Sequence, residues 1–199
     1  MKTTLLNLFF FLTTISLFSQ TQIGGDINGT SQDDLFGCAV SISDDGNRVA
    51  IGVKGKNGNT GQVKVYQNTN GIWSQLGSDL NGIALGDQFG SSVSLSGSGN
   101  YLAIGAPFGG DSSGIFVDYG EVRIYSFSSS SNDWMQFGNE ITGEYPEDYF
   151  GFSVSIANPG LLAIGTPSKQ DLSFYRIGQV KTYEYQSSTI SWIQIGSDL

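Results

Sequence analysis

One short stretch occurs three times along the chain, and this repetition restricts the available folds more than any other feature. The copies are Asp34–Lys54, Asp87–Pro107 and Asp148–Pro167. Each copy reads as two short strands of alternating large and small residues, joined by a turn rich in glycine, serine, asparagine, aspartate or proline. This pattern predicts a β-hairpin that is built three times.

The repeat extends beyond the hairpin to four predicted strands, A to D. Strand A begins at a Phe-Gly pair, B ends at an Ala-Ile-Gly triplet, C starts at Gly-x-Val-x-x-Tyr, and D carries Trp-x-Gln-x-Gly. These landmarks begin at Phe36, Ala50, Gly61 and Trp73, then at Phe89, Ala103, Gly120 and Trp134, and finally at Phe150, Ala163, Gly178 and Trp192. Four landmarks repeated in one order predict three copies of one four-stranded sheet.

The alternation of residue size within the strands predicts how the sheets pack. In strand A of the second unit, Val93 and Leu95 alternate with Ser92 and Ser94, so each sheet has a large-residue face and a small-residue face. A large face seated on the next small face buries both, which favours an all-β propeller of four-stranded antiparallel blades. A β-sandwich is the alternative, but it does not need the same cassette three times. Cys38 in strand A is expected to be a small core residue.

The predicted blades cover about 22–73, 74–134 and 135–192, and a further unit starts at 193–199. Gln22–Ile27 resembles strand D and predicts an extra N-terminal strand. Closed propellers have about 4–8 blades, so three blades suggest the N-terminal part of a longer protein. A self-associating partial propeller and a stable three-blade fan are the alternatives.

The first twenty residues predict a signal peptide, residues 1–20, which leaves 21–199 as the folded part. Lys2 precedes the apolar run Leu5–Phe18, and small or polar residues follow at Ser19–Thr21. A membrane anchor is the alternative, but the run is short for a span. We therefore expect a secreted or cell-surface protein with no membrane insertion after cleavage.

Charge and composition exclude several functions. The net charge of -9 argues against nucleic acid and anionic lipid as partners. The chain has no histidine, which excludes a Ser-His-Asp triad, a Cys-His pair and histidine-ligated metals. With no catalytic constellation visible, the expectation is that this chain is not an enzyme.

The second unit resembles the FG-GAP repeat of integrin α-type β-propellers and their bacterial relatives, because Phe89-Gly90 is followed by Gly105-Ala106-Pro107. The third unit has Gly165-Thr166-Pro167 and the first has Gly52-Val53-Lys54, so only the second motif is complete. The resemblance covers 22–199. It implies a propeller fold, an extracellular setting and a binding or adhesion role.

Calcium sites of that family lie in an acidic loop between strands A and B. The corresponding turns of this chain are short: Ser43–Arg48 has two adjacent carboxylates, whereas Ser96–Asn100 and Ala157–Gly160 have none. A calcium ion needs several converging oxygens. No cofactor or metal is therefore expected, although calcium at another position stays open.

The loops between strands B and C vary in length from unit to unit, and variable loops on a rigid scaffold often bind ligands. These loops are Val53–Thr60, Ala106–Tyr119 and Thr166–Ile177, and they share one face of the propeller with the D–A loops. Aromatic and charged residues there suit an extracellular protein or carbohydrate ligand; the alternative is that the aromatics fold back onto their own blades. The candidates are Phe108, Asp111, Phe116, Asp118, Tyr119, Phe174, Tyr175 and Arg176.

Asp34, Asp87 and Asp148 recur two residues before Phe-Gly, and recurrence in every blade favours a structural role at the D–A turn. Three functions are then considered. The first is a secreted binding or adhesion module; the second is the propeller part of a larger exported enzyme whose catalytic domain lies beyond residue 199; the third is a purely structural surface repeat.

Overall fold

The computed structural model describes residues 21–110, 118–157, 160–171, 173 and 175–197. The signal-peptide prediction for residues 1–20 lies outside this part of the chain. The described residues form three antiparallel sheets of four or five strands, and each sheet is one blade of a partial propeller. The predicted all-β propeller fold is thereby confirmed.

The strand boundaries follow the landmarks of the repeat. The first blade contains β1 (Phe36–Ile42), β2 (Arg48–Val53), β3 (Gln62–Thr69), β4 (Ile72–Gln75) and β5 (Leu80–Asn81), with one kinked helical turn, α1 (Lys56–Asn59), before β3. The second blade contains β6 (Ser92–Leu95), β7 (Tyr101–Ala106), β8 (Glu121–Ser128), β9 (Asp133–Gln136) and β10 (Ile141–Thr142). The third blade contains β11 (Ser153–Ala157), β12 (Leu161–Thr166), β13 (Gln179–Gln186) and β14 (Ser191–Ile195). No helix in the described part of the chain is long and apolar enough to cross a membrane.

Each blade is an up-and-down sheet in which predicted strands A to D pair in order. Strand D is broken in the first two blades: β4 and β5 both pair with β3, and β9 and β10 both pair with β8. The A–B turn of the first blade is closed by Asp45, which accepts hydrogen bonds from Ser43 Oγ at 2.6 Å and Asn47 N at 3.0 Å. These bonds, led by that of Ser43, lower the pKa of Asp45 to about 2. This carboxylate therefore serves the turn itself.

The blades stack as the alternation predicts, with the large face of one blade on the small face of the preceding blade. Leu102 and Ile104 of the second blade are fully buried in one cluster with Ala50, Val63 and Val65 of the first. A second cluster, led by Leu162 and Ile164 of the third blade, joins it to Ala103, Val122 and Ile124 of the second. The hydrophobic core is thus distributed over the interfaces between blades.

The glycine of the Ala-Ile-Gly triplet permits a close approach between blades at both interfaces of the described chain. A Cβ atom on Gly52 would lie 2.0 Å from the carbonyl oxygen of Gly90, and one on Gly105 would lie 2.0 Å from that of Gly151. Both carbonyls belong to the Phe-Gly pair of the following blade. The two sequence landmarks therefore meet each other across the interface.

The recurring tryptophans tie neighbouring blades together by one hydrogen bond each. Trp134 Nε1 donates to Leu76 O at 3.0 Å, and Trp192 Nε1 donates to Phe137 O at 3.0 Å. Trp73 has no preceding blade in the described chain, and its Nε1 donates to Ile23 O at 3.1 Å. The segment at residues 22–27 therefore takes the place of a preceding strand D, although it forms no strand because no described strand C lies beside it.

The start of strand A differs from the prediction. Cys38 is exposed and its Sγ donates a weak hydrogen bond to Gly90 O at 3.5 Å, so its assignment to the core is wrong. The register of β1 against β2 shifts between Phe36 and Val40, and the regular alternation begins only after this irregularity. Phe152, the third-blade equivalent of Cys38, is likewise 58 % exposed.

The contact between glycine and carbonyl predicts unequal effects for two matched substitutions. We expect Gly105→Ala to lower the free energy of unfolding by about 2–3 kcal/mol, because the new methyl group would displace the backbone of Gly151. Gly165→Ala should cost less than about 1 kcal/mol, since its Cβ would meet only the rotatable Ser153 Oγ at 2.2 Å, with no other atom nearer than 3.6 Å. Urea denaturation followed by tryptophan fluorescence measures both, and equal losses would contradict the packing argument.

Candidate functional site

Each blade carries one cation at the same position of strand C, in the pattern Gly-x-Val-Lys/Arg. Lys64 pairs with Asp79 at 2.9 Å, Arg123 with Glu140 at 2.7 Å, and Lys181 with Glu144. The acid comes from strand D of the same blade or from the loop that precedes the blade. Because all three blades share this ion pair, it belongs to the scaffold.

A second ion pair recurs in the first and third blades but is missing from the second. Asp34 at the D–A turn pairs with Lys56 at 2.9 Å, and Asp148 pairs with Lys169 at 3.4 Å. Both lysines lie four residues after the glycine of the Ala-Ile-Gly triplet. In the second blade that position is Gly109, so Asp87 has no lysine beside it.

The second blade also differs at the start of strand C. The first and third blades carry Gln62 and Gln179 after the glycine, whereas the second carries Glu121. A Cβ atom on Gly109 would lie 2.8 Å from Glu121 Cγ. The two exchanged residues are therefore neighbours in space.

These exchanges open a cavity in the second blade. Its volume is about 180 Å³, against about 80 and 30 Å³ for the corresponding cavities of the first and third blades. The walls come from the preceding D–A loop (Ile83, Ala84 and Asp87), from Gly110 of the B–C loop, from Glu121 and Arg123 on β8, and from Glu140 before β10. The cavity thus lies where a D–A loop and a B–C loop meet, on the face where the sequence predicts binding.

The electrostatics of the cavity are dominated by the buried pair Glu121 and Arg123, whose side chains are almost inaccessible. Arg123 Nη2 lies 2.5 Å from Glu121 Oε1, but the contact is not aligned as a hydrogen bond, and this oxygen has no hydrogen-bond partner in the described part of the chain. Burial, only partly offset by Arg123, raises the pKa of Glu121 to about 7. Arg123 also donates from Nε to Glu140 Oε2 and lies over the ring of Phe89, 5.5 Å from its centroid.

Two further carboxyl groups near the cavity are poorly solvated. Asp87 accepts a hydrogen bond from Ala84 N at 2.9 Å, which confirms its predicted role at the turn. Burial nevertheless raises the pKa of Asp87. Burial, reinforced by Glu147, raises the pKa of Asp118 as well. Asp87, Glu121 and Glu140 therefore face the single guanidinium of Arg123, and a proton or another cation is favoured in this cavity.

This arrangement can perform general acid–base chemistry. A carboxyl group whose pKa lies near neutrality can both take up and release a proton at physiological pH. Strongly perturbed carboxyl groups in a cavity are typical of catalytic sites, although structural ion pairs can produce them too. Glu121 is not a carboxyl group that the scaffold requires for a structural ion pair, because the other two blades carry glutamine at its position.

The predicted ligand-binding residues that the structure describes do not line this cavity, and Tyr175 and Arg176 belong to the B–C loop of the third blade. Phe108 packs against Tyr149 with ring centroids 5.2 Å apart, and Tyr119 lies beside Gly110. Tyr175 is 71 % exposed and Arg176 is also exposed. Asp111, Phe116 and Phe174 lie outside the described residues. A role of the eight candidates in binding stays a prediction.

Sequence reasoning missed Glu121, although the signal for it was present. Aligning the repeat shows Glu121 opposite two glutamines and Gly109 opposite two lysines. These departures carry information because the repeat itself defines the structural residue at each position. In the described part of the chain, no group of three or more Asp, Glu or Cys side chains is arranged to hold a metal ion. The calcium question therefore stays a prediction.

The described residues form part of a β-propeller whose second blade has a cavity lined by the buried side chain of Glu121. Comparison with solved structures supports this fold. No family model matches the chain, and no curated protein matches it. Among solved structures, a candidate 6-phosphogluconolactonase of Bacteroides uniformis is similar, with a TM-score of 0.53 and 12% identity over 80% of this chain and 39% of that chain. A candidate 6-phosphogluconolactonase of Bacteroides fragilis has a TM-score of 0.50 and 15% identity over 80% of this chain and 38% of that chain.

Saccharomyces cerevisiae Sqt1, a WD40 β-propeller protein, is also similar, with a TM-score of 0.53 and 12% identity over 85% of this chain and 37% of that chain. This chain thus spans less than two fifths of the length of these three proteins. Identities of this size establish the fold alone.

The comparisons correct the family assignment. The FG-GAP resemblance is wrong, because the similar structures are lactonase-type and WD40 propellers and no family model matches. The motif has a packing origin instead: Phe89 is buried, Pro107 is fully buried, and Gly105 abuts a backbone carbonyl. These residues therefore serve the packing of the blades and do not identify a family.

The functional expectations that rested on that resemblance are corrected with it. The assignment as an adhesion module is wrong, and so is the expectation that the chain is not an enzyme, since two of the similar structures carry the name of an enzyme. The absence of histidine excluded histidine chemistry only. It left carboxylate chemistry open, and Glu121 supplies a group suited to it.

The raised pKa of Glu121 predicts a specific dependence of stability on pH. An acid whose pKa rises from 4.5 to about 7 on folding is destabilised when it ionises, so the unfavourable contribution is absent below pH 4.5 and complete above pH 7. We expect Glu121→Gln to gain up to about 3 kcal/mol over the wild type between pH 5 and pH 8. Urea denaturation at both pH values measures this difference. Glu184→Gln, at an exposed position of β13, is the control; equal pH dependence of wild type and Glu121→Gln would contradict the assignment.

Proposed function

We propose that the chain is part of a propeller enzyme that hydrolyses an ester or lactone of a small carbohydrate-derived molecule in the second-blade cavity. The observation that carries this proposal is Glu121, 2 % exposed, with a pKa of about 7. The names of the two Bacteroides proteins support it, because both denote a lactonase of a sugar acid.

In the proposed reaction Glu121 is the general base. Its carboxylate takes a proton from a water molecule as the water oxygen attacks the carbonyl carbon of the substrate. The resulting tetrahedral oxyanion develops beside the guanidinium of Arg123, which supplies positive charge in a poorly solvated site. The bond from the carbonyl carbon to the ester oxygen then breaks, and Glu121 returns its proton to the leaving alkoxide. The net change is the addition of one water molecule.

The groups around Glu121 set the pH at which it can act. Arg123 on the same strand favours the ionised form, whereas Glu140 from strand D disfavours it. Asp87 from the D–A turn interacts electrostatically with Arg123, with Glu140 and with Asp118 from the B–C loop. A base must be ionised to accept a proton, so the rate is expected to rise with pH through about 7.

Replacement of the base tests the proposal directly. Glu121→Gln is expected to lower kcat/KM for hydrolysis of D-glucono-1,5-lactone by about 10²–10⁴-fold and to abolish the inflection near pH 7. The lactone hydrolyses spontaneously, so a pH-stat assay with an enzyme-free reference is required. Because Gln62 and Gln179 occupy the same position in the other blades, this variant keeps a side chain that the scaffold accommodates.

The control is Glu184→Gln, which should hydrolyse the lactone at the wild-type rate. A Glu121→Gln variant that keeps both the wild-type rate and the wild-type pH profile would overturn the role of Glu121. If the wild type accelerates the hydrolysis of no neutral, phosphorylated or amine-bearing lactone or ester, the proposed function is wrong.

We also propose that the protein is exported, as its first twenty residues predict. The acidic net charge of -9 suits a soluble exported protein and disfavours nucleic acid as a partner. Intact-mass spectrometry of protein recovered from the medium or periplasm of an expressing bacterium should give a new N-terminus near Ser19–Thr21. A product that stays in the cytoplasm and keeps residues 1–20 would contradict export.

A further inference from the structure

The repeat shows what occupies the second-blade cavity in its two sister blades. There a lysine ammonium from the B–C loop pairs with the aspartate of the D–A turn, Lys56 with Asp34 and Lys169 with Asp148. The second blade keeps the aspartate as Asp87, but Gly109 replaces the lysine. The scaffold is therefore built around an ammonium group that this blade does not supply.

The space left by the lysine is visible in the cavity volumes. The second-blade cavity is about 180 Å³, more than twice the size of either sister cavity. Its rim carries Ile83, which is 70 % exposed, so an aliphatic stem entering the cavity would contact an apolar side chain. The shape suits a small molecule with a polar head and a short apolar stem.

The charge of the cavity identifies the head group. Asp87 is 8 % exposed and accepts one backbone hydrogen bond, through Oδ2. Glu121 is 2 % exposed, and its Oε1 lines the cavity with no hydrogen-bond partner in the described part of the chain, although Arg123 Nη2 lies 2.5 Å away. Three carboxyl groups, Asp87, Glu121 and Glu140, share the one guanidinium of Arg123 in this lining, which favours a ligand that brings hydrogen-bond donors and a positive charge. An ammonium group brings three such donors.

We propose that the second-blade cavity binds the primary ammonium group of a small ligand at the position of the missing lysine, where it pairs with Asp87 as Lys56 and Lys169 pair with their aspartates. This pairing leaves Glu121 free to act as the base. The proposal rests on the proposed function in one respect, because it names the substrate class as an amine-bearing ester or lactone. A phosphorylated substrate fits less well. The walls of this cavity carry three carboxyl groups, Asp87, Glu121 and Glu140, and this excess of negative charge repels a phosphate group.

The probe is n-propylammonium chloride, titrated into the full-length protein at constant ionic strength with NaCl. Binding is followed by the backbone amide shifts of residues around the cavity, such as Ala84, Gly110 and Glu121. We expect saturable shifts with n-propylammonium and none with n-propanol, which has the same stem without the charge. Asp87→Asn should weaken binding by about 10–100-fold, because it removes one charge-assisted hydrogen bond.

Two variants provide matched controls. Asp34→Asn alters the same aspartate in the first blade, where Lys56 already fills the position, and should leave probe binding unchanged. Gly109→Lys with Glu121→Gln gives the second cavity the composition of its sisters and should remove the saturable shifts. Both exchanges are made together so that the second blade carries the same lysine, glutamine and aspartate as the first and third blades. Thermal unfolding shows whether the double variant is folded; Asp87→Asn tests the site independently of it.

The outcomes separate this inference from the proposed function. Saturable binding of n-propylammonium without hydrolysis of any lactone would support the ammonium site and refute the hydrolase. Hydrolysis of neutral lactones without saturable probe binding would support the hydrolase and refute the ammonium site. Equal binding by the wild type and Asp87→Asn would show only nonspecific attraction to an acidic protein, and it would overturn the inference.

Discussion

The whole structure depends on the contact between the large face of one blade and the small face of the blade before it. Neither face is buried within its own sheet, so a blade gains its core only from a neighbour. The contact is close enough for Gly105 to touch a backbone carbonyl of the next blade, and Trp134 adds a hydrogen bond across the same type of interface. The outer faces of the first and third blades consequently expose residues such as Val40 and Val180.

This repeated interface allows one blade to be compared with another inside a single chain. The scaffold needs a cation on strand C, and each blade provides one: Lys64, Arg123 or Lys181. It does not need Gly109 or Glu121, because the other two blades do without them. The two exchanges remove the ion pair between the D–A aspartate and the B–C lysine, and they leave three carboxyl groups around one guanidinium. A buried excess of negative charge is costly, so these exchanges are the strongest indication of function in the described chain.

The repeat in the sequence predicted the blades and their strand order. It predicted less well where the strands are irregular: a shift of register at the start of β1 placed Cys38 at the surface. The family resemblance was misleading for a physical reason. Phe89 and Pro107 are buried where the blades pack, and packing between blades says nothing about ligands.

The sequence by itself determined the all-β propeller architecture. Large and small residues alternate with a period of two within each strand, and the four-stranded unit occurs three times; few other folds accommodate both patterns. The sequence also shows that Gly109 and Glu121 stand where the other two blades have lysine and glutamine. Only the tertiary structure decided that residues 109 and 121 lie side by side across a loop. It also brings Asp87, from another turn, into the same cavity as Glu121. The pKa of a carboxyl group depends on desolvation and on charges brought near by folding. Spacing along the chain therefore predicts neither a cavity nor a buried acid.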